Sequence, residues 1–516
     1  MIKFSARSLL SRTAMLLYIA AATVAVHLLA AGNYGTFYDE WYTMACSRHL
    51  SLAFVDLPPV APALLALNTA LFGSSLFAMH ILPSLFSGTT VVLVGLMASE
   101  LGGGKFAIVF AGLCAAFVPV WMALGSLFTY DFLDQFMLMT LFYFVIRLVK
   151  RENPKLWLTI GLTAGVGLMT KPSEIFFIAG LALALLLTKH RKMYLTRWPW
   201  LGAAIALVII APAAIWQTLN GFPIVGYWTT YSAEQAVHSN PVDFALTQML
   251  ISNIILLPVW ITGLCYLLFA KEGKKFRLLG VICCVLFAVF LLTGAKPYMP
   301  APLYAVLIAG GAVALEKFIS GRKWRRIILV PVYAAVIVLT GIIQAPLFIP
   351  ALPVDTLVKY YNSVGTVFGE KTVKLDNVEQ NDVLPSYFYN RFDWDVLVRD
   401  VAGVYDNLPE NEKADVTIFS NNYGCAGAVD FLGEAYGLPK STSGKLNYYF
   451  FSAENVKTGT WIVIGDSTLS LDRMFGNVQL ARMSFSEYRQ PHNLHIFLCK
   501  DPLFTVEQAK QLVFTY

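Results

Sequence analysis

Charge is what this chain has least of. Asp, Glu, Lys and Arg make up only 14% of its 516 residues, where soluble domains carry about a quarter. With 57% hydrophobic residues and a mean hydropathy of +0.61, the chain is too apolar for an ordinary soluble protein, and its longest apolar runs suit a bilayer. Nucleic acid is excluded as a partner. The net charge of +6 is not gathered on one arm but scattered in short basic clusters between apolar runs, which is a topology signal. Cysteine is also scarce. The seven cysteines and seven histidines show no metal-type spacing. Cys114, Cys265, Cys283 and Cys284 lie in apolar runs and read as small buried thiols. Cys425 and Cys499 lie in the polar tail, where a disulfide is open to them if that side is oxidising. Low-complexity tracts and short repeats are missing.

The apolar runs predict eleven spans, near 14–31, 76–98, 106–124, 132–148, 157–170, 175–188, 199–216, 245–269, 278–293, 302–318 and 327–346. The first follows Lys3, Arg7 and Arg12. It is too long for a signal peptide and lacks a clean small-x-small site, so it reads as a retained helix. Threading the chain with its N-terminus inside puts 21 basic residues in inside loops and leaves Arg48, Lys171 and Lys296 outside. That asymmetry fixes the orientation and places everything after Phe348 outside the cytoplasm. The run from Pro59 to Gly73 is too short to cross a hydrocarbon core of about 30 Å. It reads as an interfacial helix on the outer leaflet, capped by Asp56 and ended by Gly73. Spans 157–170 and 175–188 are also short. Their junction, Thr170-Lys171-Pro172-Ser173-Glu174, is expected below the outer surface in a water-filled cavity.

The composition changes from about Asp355. Short apolar runs at 416–419, 461–464 and 496–499 alternate with helix-like stretches at 394–405 and 426–436, which predicts a compact α/β domain. The expected organisation is a membrane domain over 1–347 and an extracytoplasmic α/β domain over 348–516.

Ionisable residues at outer span ends are the candidates for chemistry, because a charge in the membrane costs about 2.5–3.5 kcal/mol and needs a partner or a task. Asp39 and Glu40 open a helix-like run. Adjacent helical positions diverge by about 100°, so one carboxylate can face a site while the other caps or binds a cation. Capping and dipole effects alone would account for such a pair. Asp131 begins the fourth span, and Asp134 lies one turn deeper on the same face. Lys171 lies where Lys is otherwise almost absent; snorkelling to headgroups is the bland explanation. Lys296 precedes Tyr298 between the ninth and tenth spans. Lysines paired with a lipid-linked phosphate, and a carboxylate accepting a proton from an attacking hydroxyl, would suit glycosyl transfer at the lipid–water boundary.

In order along the chain come Tyr38-Asp39-Glu40, Asp56-Leu57-Pro58-Pro59, Ala107 to Pro119, Tyr130-Asp131, Gly165 to Thr170-Lys171-Pro172, and Pro212 to Trp216-Gln217. This series resembles the bacterial branch of the protein O-mannosyltransferase family, which belongs to the GT-C class and includes the aminoarabinose transferases. The resemblance covers about residues 30–310. It extends to the tail through Phe392-Asp393-Trp394, Asn422-Tyr423-Gly424 and Gly437-Leu438-Pro439. It implies a catalytic carboxylate at Asp39, a second acid at Asp131 and a carrier-phosphate contact at Lys171. Lys296 and Tyr298 match more loosely, and Glu40 and Asp56 are further substrate-side candidates. Some relatives carry Glu-Lys where this chain has Asp56-Leu57, which leaves a divalent metal open as the one cofactor to consider.

The expected activity is inverting transfer of a sugar from a polyprenyl-phosphate donor to a lipid, glycan or protein acceptor at the outer face of a bacterial inner or plasma membrane. The rivals are a lipid-linked sugar flippase or transporter, against which there is no inverted repeat of interrupted helices, and a membrane scaffold, which would not need the buried lysines.

Overall fold

In the computed structural model, residues 11–236, 240–365, 384–465, 471–489 and 491–513 are described; Lys3 and Arg7 of the N-terminal basic cluster lie outside them. Seven helices are long and apolar enough to cross a membrane: Arg12–Ala30, Leu76–Glu100, Tyr130–Arg151, Arg197–Leu219, Gly273–Thr293, Ala301–Ser320 and Arg325–Leu347. An eighth crossing is available if Pro241–Ile251 and Ile254–Phe269 act as one span, although they meet at 87°. The bend has a local cause. Asn253 adopts φ 68°, its Oδ1 accepts from Ile255 N, and its Nδ2 donates to Phe117 O at 3.1 Å.

Three expected spans are shorter helices. The run at 106–124 breaks at Phe117 into Lys105–Ala116 and Pro119–Leu124, with a proline at the first position of the second piece. Leu156–Leu168 and Glu174–Leu187 have 13 and 14 residues, or about 20 Å each at 1.5 Å per residue. Hydropathy registers an apolar run but not a break within it.

The described residues fall into two compact units. The first comprises Met1–Asn33, Phe77–Ile215 and Ser232–Val383 and contains the apolar helices. Tyr130–Arg151 and Ala301–Ser320 form its centre, each 67% buried over its most apolar stretch, whereas Arg197–Leu219 and Arg325–Leu347 are 11% and 17% buried. The latter two present apolar side chains outward, as a helix bathed in lipid does. Glycines set the closest crossings. A Cβ on Gly263 would stand 1.8 Å from Leu307 O, and one on Gly311 would stand 2.0 Å from Val259 O. Gly161 and Gly202 face each other in the same way.

The second unit joins Tyr34–Leu76 and Trp216–Tyr231 to Leu384–Tyr516. Compaction therefore divides the chain differently from membrane side, on which the 347/348 boundary rests. The sheet comprises β1 (Thr417–Ser420), β2 (Ser441–Thr442), β3 (Trp461–Gly465), β4 (Phe475–Phe485) and β5 (Asn493–Pro502), ordered β2-β1-β3-β5-β4. The β1–β2 and β1–β3 pairs are parallel, while β5 is antiparallel to β3 and β4. Alternation along β3 builds both cores: Ile462 and Ile464 face Trp41, Trp394 and Val398, while Trp461 and Val463 face Phe475 and Cys499. Cys425 lies in the first core and Cys499 in the second, and both are free buried thiols, so they form no disulfide with each other.

The Tyr38–Arg48 helix belongs to this core through Trp41. The Tyr423–Leu432 helix rests on it at two glycines. A Cβ on Gly424 would stand 2.4 Å from the Tyr38 ring, and one on Gly427 would stand 2.6 Å from Trp41 Cβ. The Val60–Phe72 helix ends at Gly73 with φ 87°, as expected.

Gly263→Val is expected to destabilise the first unit by about 1–3 kcal/mol or more, because a side chain would strike backbone. Size-exclusion profiles and melting of the detergent-solubilised protein would check this; unchanged melting would show that the crossing tolerates a side chain.

Candidate functional site

In the first unit, a lysine stands where two short apolar helices meet. The Leu156–Leu168 helix ends with Lys171 N donating to Gly167 O at 2.8 Å, and the next helix begins at Glu174. The Lys171 side chain is only 9% exposed, so it does not snorkel. Its Nζ donates to Asp131 Oδ1 at 2.6 Å and to Tyr298 Oη at 3.2 Å, and stands 4.0 Å from Asp134 Oδ2. The Tyr130 and Tyr298 rings lie 5.2 and 4.9 Å away, within cation–π range. Asp131 is not the helix cap; that place belongs to Thr129, whose Oγ1 accepts from Asp131 N. Its carboxylate is left to neutralise the lysine.

The surroundings fix this arrangement. Ser173 Oγ donates to Asp134 Oδ1 at 3.1 Å. Gln135 Nε2 donates to Tyr298 O, Gln248 Nε2 to Pro297 O, and Tyr304 Oη to Gln248 Oε1. Thus two glutamines hold the loop that presents Tyr298. Lys296 Nζ lies 5.8 Å from the Tyr298 ring. Glu174 is fully buried, and among the described residues neither of its carboxyl oxygens has a hydrogen-bond partner. Gly167 makes room for it, since a Cβ there would stand 2.6 Å from Glu174 Oε1. Asp131, Lys171 and Tyr298, all expected at outer span ends, meet in the structure. Sequence reading assigned no role to Ser173, Glu174, Gln135 or Gln248, although polar residues at a break between apolar helices were the available signal.

The second unit holds Asp39, Glu40 and Asp56. Asp39 Oδ1 accepts from Tyr423 Oη at 2.7 Å. Glu40 is fully buried and accepts from Phe37 N at 2.7 Å through Oε2, closing its own helix N-terminus. Its charge also offsets the desolvation of the buried Arg391 guanidinium, which holds that group below its ordinary range. Glu40 is therefore a cap and a counter-charge, one of the two tasks expected of the Asp39-Glu40 pair. The expected capping role of Asp56 is corrected. This residue does not cap the Val60–Phe72 helix, whose N-cap is Pro59 with no side-chain hydrogen bond. Instead Asp56 Oδ1 accepts from Tyr42 Oη at 2.6 Å. Asn447 N donates to Tyr42 Oη, and Asn447 Oδ1 accepts from Val55 N at 2.6 Å. Burial raises the Tyr38 and Tyr42 phenols well above their usual range, so both remain neutral. Among the described residues, no three His, Cys, Asp or Glu side chains are grouped to hold a metal ion.

Long apolar helices interrupted by short ones, with acids and a lysine at their ends and a small sheet in the tail, describe a multi-pass membrane protein. The comparisons with known proteins agree. Residues 56–216 match the family model described as dolichyl-phosphate-mannose-protein mannosyltransferase. The undecaprenyl phosphate-alpha-4-amino-4-deoxy-L-arabinose arabinosyl transferase of Pseudomonas savastanoi pv. phaseolicola is 24% identical over 223 residues, which span 41% of this chain and 42% of that relative. Among solved structures, ArnT from Cupriavidus metallidurans bound to undecaprenyl phosphate superposes with a TM-score of 0.62 at 13% identity, covering 94% of this chain and 98% of that one. The Archaeoglobus fulgidus oligosaccharyltransferase gives 0.51 at 12% identity, covering 88% and 69%. At these identities the structures show a shared fold.

Asp131→Asn would remove the nearer of the two carboxylates beside a buried ammonium, leaving Asp134 at 4.0 Å, and is expected to cost up to about 3–5 kcal/mol, whereas Asp131→Leu with Lys171→Met should cost less. Melting of the three variants is the check. Equal losses for the single and double changes would show that the pair is not coupled.

Desolvation pushes the Asp56 carboxyl from 3.8 up to about 7, with the Tyr42 hydrogen bond opposing. The folded state therefore keeps a proton that the unfolded chain releases above its ordinary pKa. Stability from this group is full below about pH 3.8 and lost as pH rises through about 7. Asp56→Asn should flatten that part of the stability–pH curve, and a decline of unchanged size would assign it to another group.

Proposed function

We propose that this protein transfers one sugar from a polyprenyl-phosphate donor to an acceptor at the outer face of the membrane, with inversion at the anomeric carbon. The observation that carries this reading is the buried Lys171, held by Asp131 and Tyr298, in a chain whose fold is that of an enzyme crystallised with undecaprenyl phosphate. In this reading Lys171 exchanges Asp131 for the carrier phosphate, and Lys296 adds charge near Tyr298. The acceptor hydroxyl attacks the anomeric carbon. The bond from that carbon to the phosphate oxygen breaks, its electron pair leaves with the polyprenyl phosphate, and Asp39 takes the hydroxyl proton. No separate acid is needed, since phosphate is a good leaving group. Eleven crossings, three of them made by short helices, would put the C-terminal residues outside the cytoplasm, in keeping with the basic-residue asymmetry.

Purified protein in bilayers should turn over a radiolabelled polyprenyl-phosphate sugar from a panel of donors; flipping of the donor without transfer would favour the flippase. Asp39→Asn should abolish transfer and leave donor binding intact, while full activity would remove Asp39 as the base. Lys171→Ala should lower the rate by roughly 30- to 1000-fold, the equivalent of about 2–4 kcal/mol. Lys171→Arg should recover part of the loss, because a planar fork replaces a compact charge. A loss under about threefold would count against the phosphate contact. A C-terminal reporter that works only in the cytoplasm should stay silent, and activity would overturn the topology.

A further inference from the structure

Tyr423 belongs to the C-terminal segment, more than 380 positions from the carboxylate it touches. We infer that Tyr423 is a positioning residue for Asp39, so that the C-terminal segment helps to set the reactive carboxylate. This deepens the proposed function and rests on Asp39 being the base.

The geometry is specific. Tyr423 Oη donates to Asp39 Oδ1 at 2.7 Å. Its ring lies against two rings of the Asp39 helix, with centroids 4.5 Å from Tyr38 and 4.9 Å from Tyr42. The backbone under it is fixed as well. Asn422 caps the Tyr423–Leu432 helix, accepting from Cys425 N at 2.9 Å through Oδ1. The next residue, Gly424, brings the backbone so close to Tyr38 that a Cβ would stand 2.4 Å from the ring. The three residues of Asn422-Tyr423-Gly424 thus have separable tasks: cap, donor and close approach. Contact with two rings holds the Tyr423 ring by packing as well as by its hydroxyl. The hydroxyl fixes one carboxylate oxygen, which sets the plane of the group and hence the direction of Oδ2. A general base works through the lone pair aimed at the proton, so orientation bears on the chemical step more than on binding.

The test is Tyr423→Phe in the full-length protein in nanodiscs, assayed with whichever polyprenyl-phosphate sugar of the donor panel it turns over. The ring and its packing are kept and only the hydroxyl is lost. The expected result is a kcat at least roughly tenfold lower, with donor Kd, donor KM and melting temperature unchanged. A merely structural role would move melting or KM instead. Wild-type kcat in Tyr423→Phe, or a fall matched by weaker donor binding, overturns the proposal. Asp39→Asn is run alongside. If it is inactive while Tyr423→Phe is fully active, Asp39 stands as base and Tyr423 falls. If Asp39→Asn retains activity, the base assignment fails and takes the positioning role with it. Gly424→Val supplies a second reading, because it forces Tyr38 and the Tyr423 helix apart. It should lower kcat at least as much as Tyr423→Phe, and an unchanged kcat in a folded Gly424→Val protein also counts against the proposal.

Discussion

A buried ammonium must be neutralised where it stands, and much of the first unit follows from that requirement at Lys171. Its helix cannot continue through position 171, because Pro172 follows and the chain must turn to aim the side chain inward. Asp131 must stand opposite, which requires the Tyr130–Arg151 helix to begin there, and Thr129 takes the cap so that Asp131 does not. Tyr298 must supply both an oxygen and a ring, so its loop is held by Gln135 and Gln248 from separate helices. Removing the charge would relax all of these demands together, which is why they are best understood as one device. A buried ion pair is weak evidence for stability, since apolar residues of the same volume commonly do as well. Its presence among apolar helices therefore calls for another reason.

The second unit follows a different constraint, that of close approach. Residues 34–76 and 384–516 are far apart in sequence and share a core built on Trp41, Trp394 and the β3 isoleucines. Gly424 and Gly427 let two helices meet nearer than any side chain would allow. Several polar groups at this interface are paired within the protein. Tyr42 lies between Asp56 and Asn447, and Glu40 closes its helix beside Arg391. The carboxylate that faces Tyr423 is thus carried on a helix with little freedom to move.

Legibility from sequence differed between these constraints for physical reasons. Asp131, Lys171 and Lys296 could be grouped because charge at the ends of apolar runs is conspicuous, and Tyr298 entered as the aromatic beside Lys296. β1, β3 and β5 could be read because short β-branched runs stand out in a charged tail. The break at Phe117 could not, since that residue does not interrupt hydropathy, and Ser252-Asn253 is too short a polar interruption to mark one by itself. For Glu40 and Asp56 a sequence shows that a carboxylate exists but not which protein donor, Phe37 N or Tyr42 Oη, reaches it. The union of the 34–76 segment with the tail is a long-range packing fact, and its one written trace was the spacing of Gly424 and Gly427 in an apolar stretch.

Under the proposed function, the Lys171–Asp131 pair acquires the reason that stability does not give it. A lysine bound to a carboxylate is already desolvated and aimed, so a phosphate that takes the place of Asp131 meets a donor that needs no further ordering. In the ground state Asp131 and the donor phosphate then compete for one ammonium. As the glycosidic bond breaks, negative charge grows on the phosphate and not on Asp131, so the balance shifts towards the phosphate only as the transition state is approached. An interaction that strengthens along the reaction lowers the barrier, whereas one equally strong in the bound donor would not.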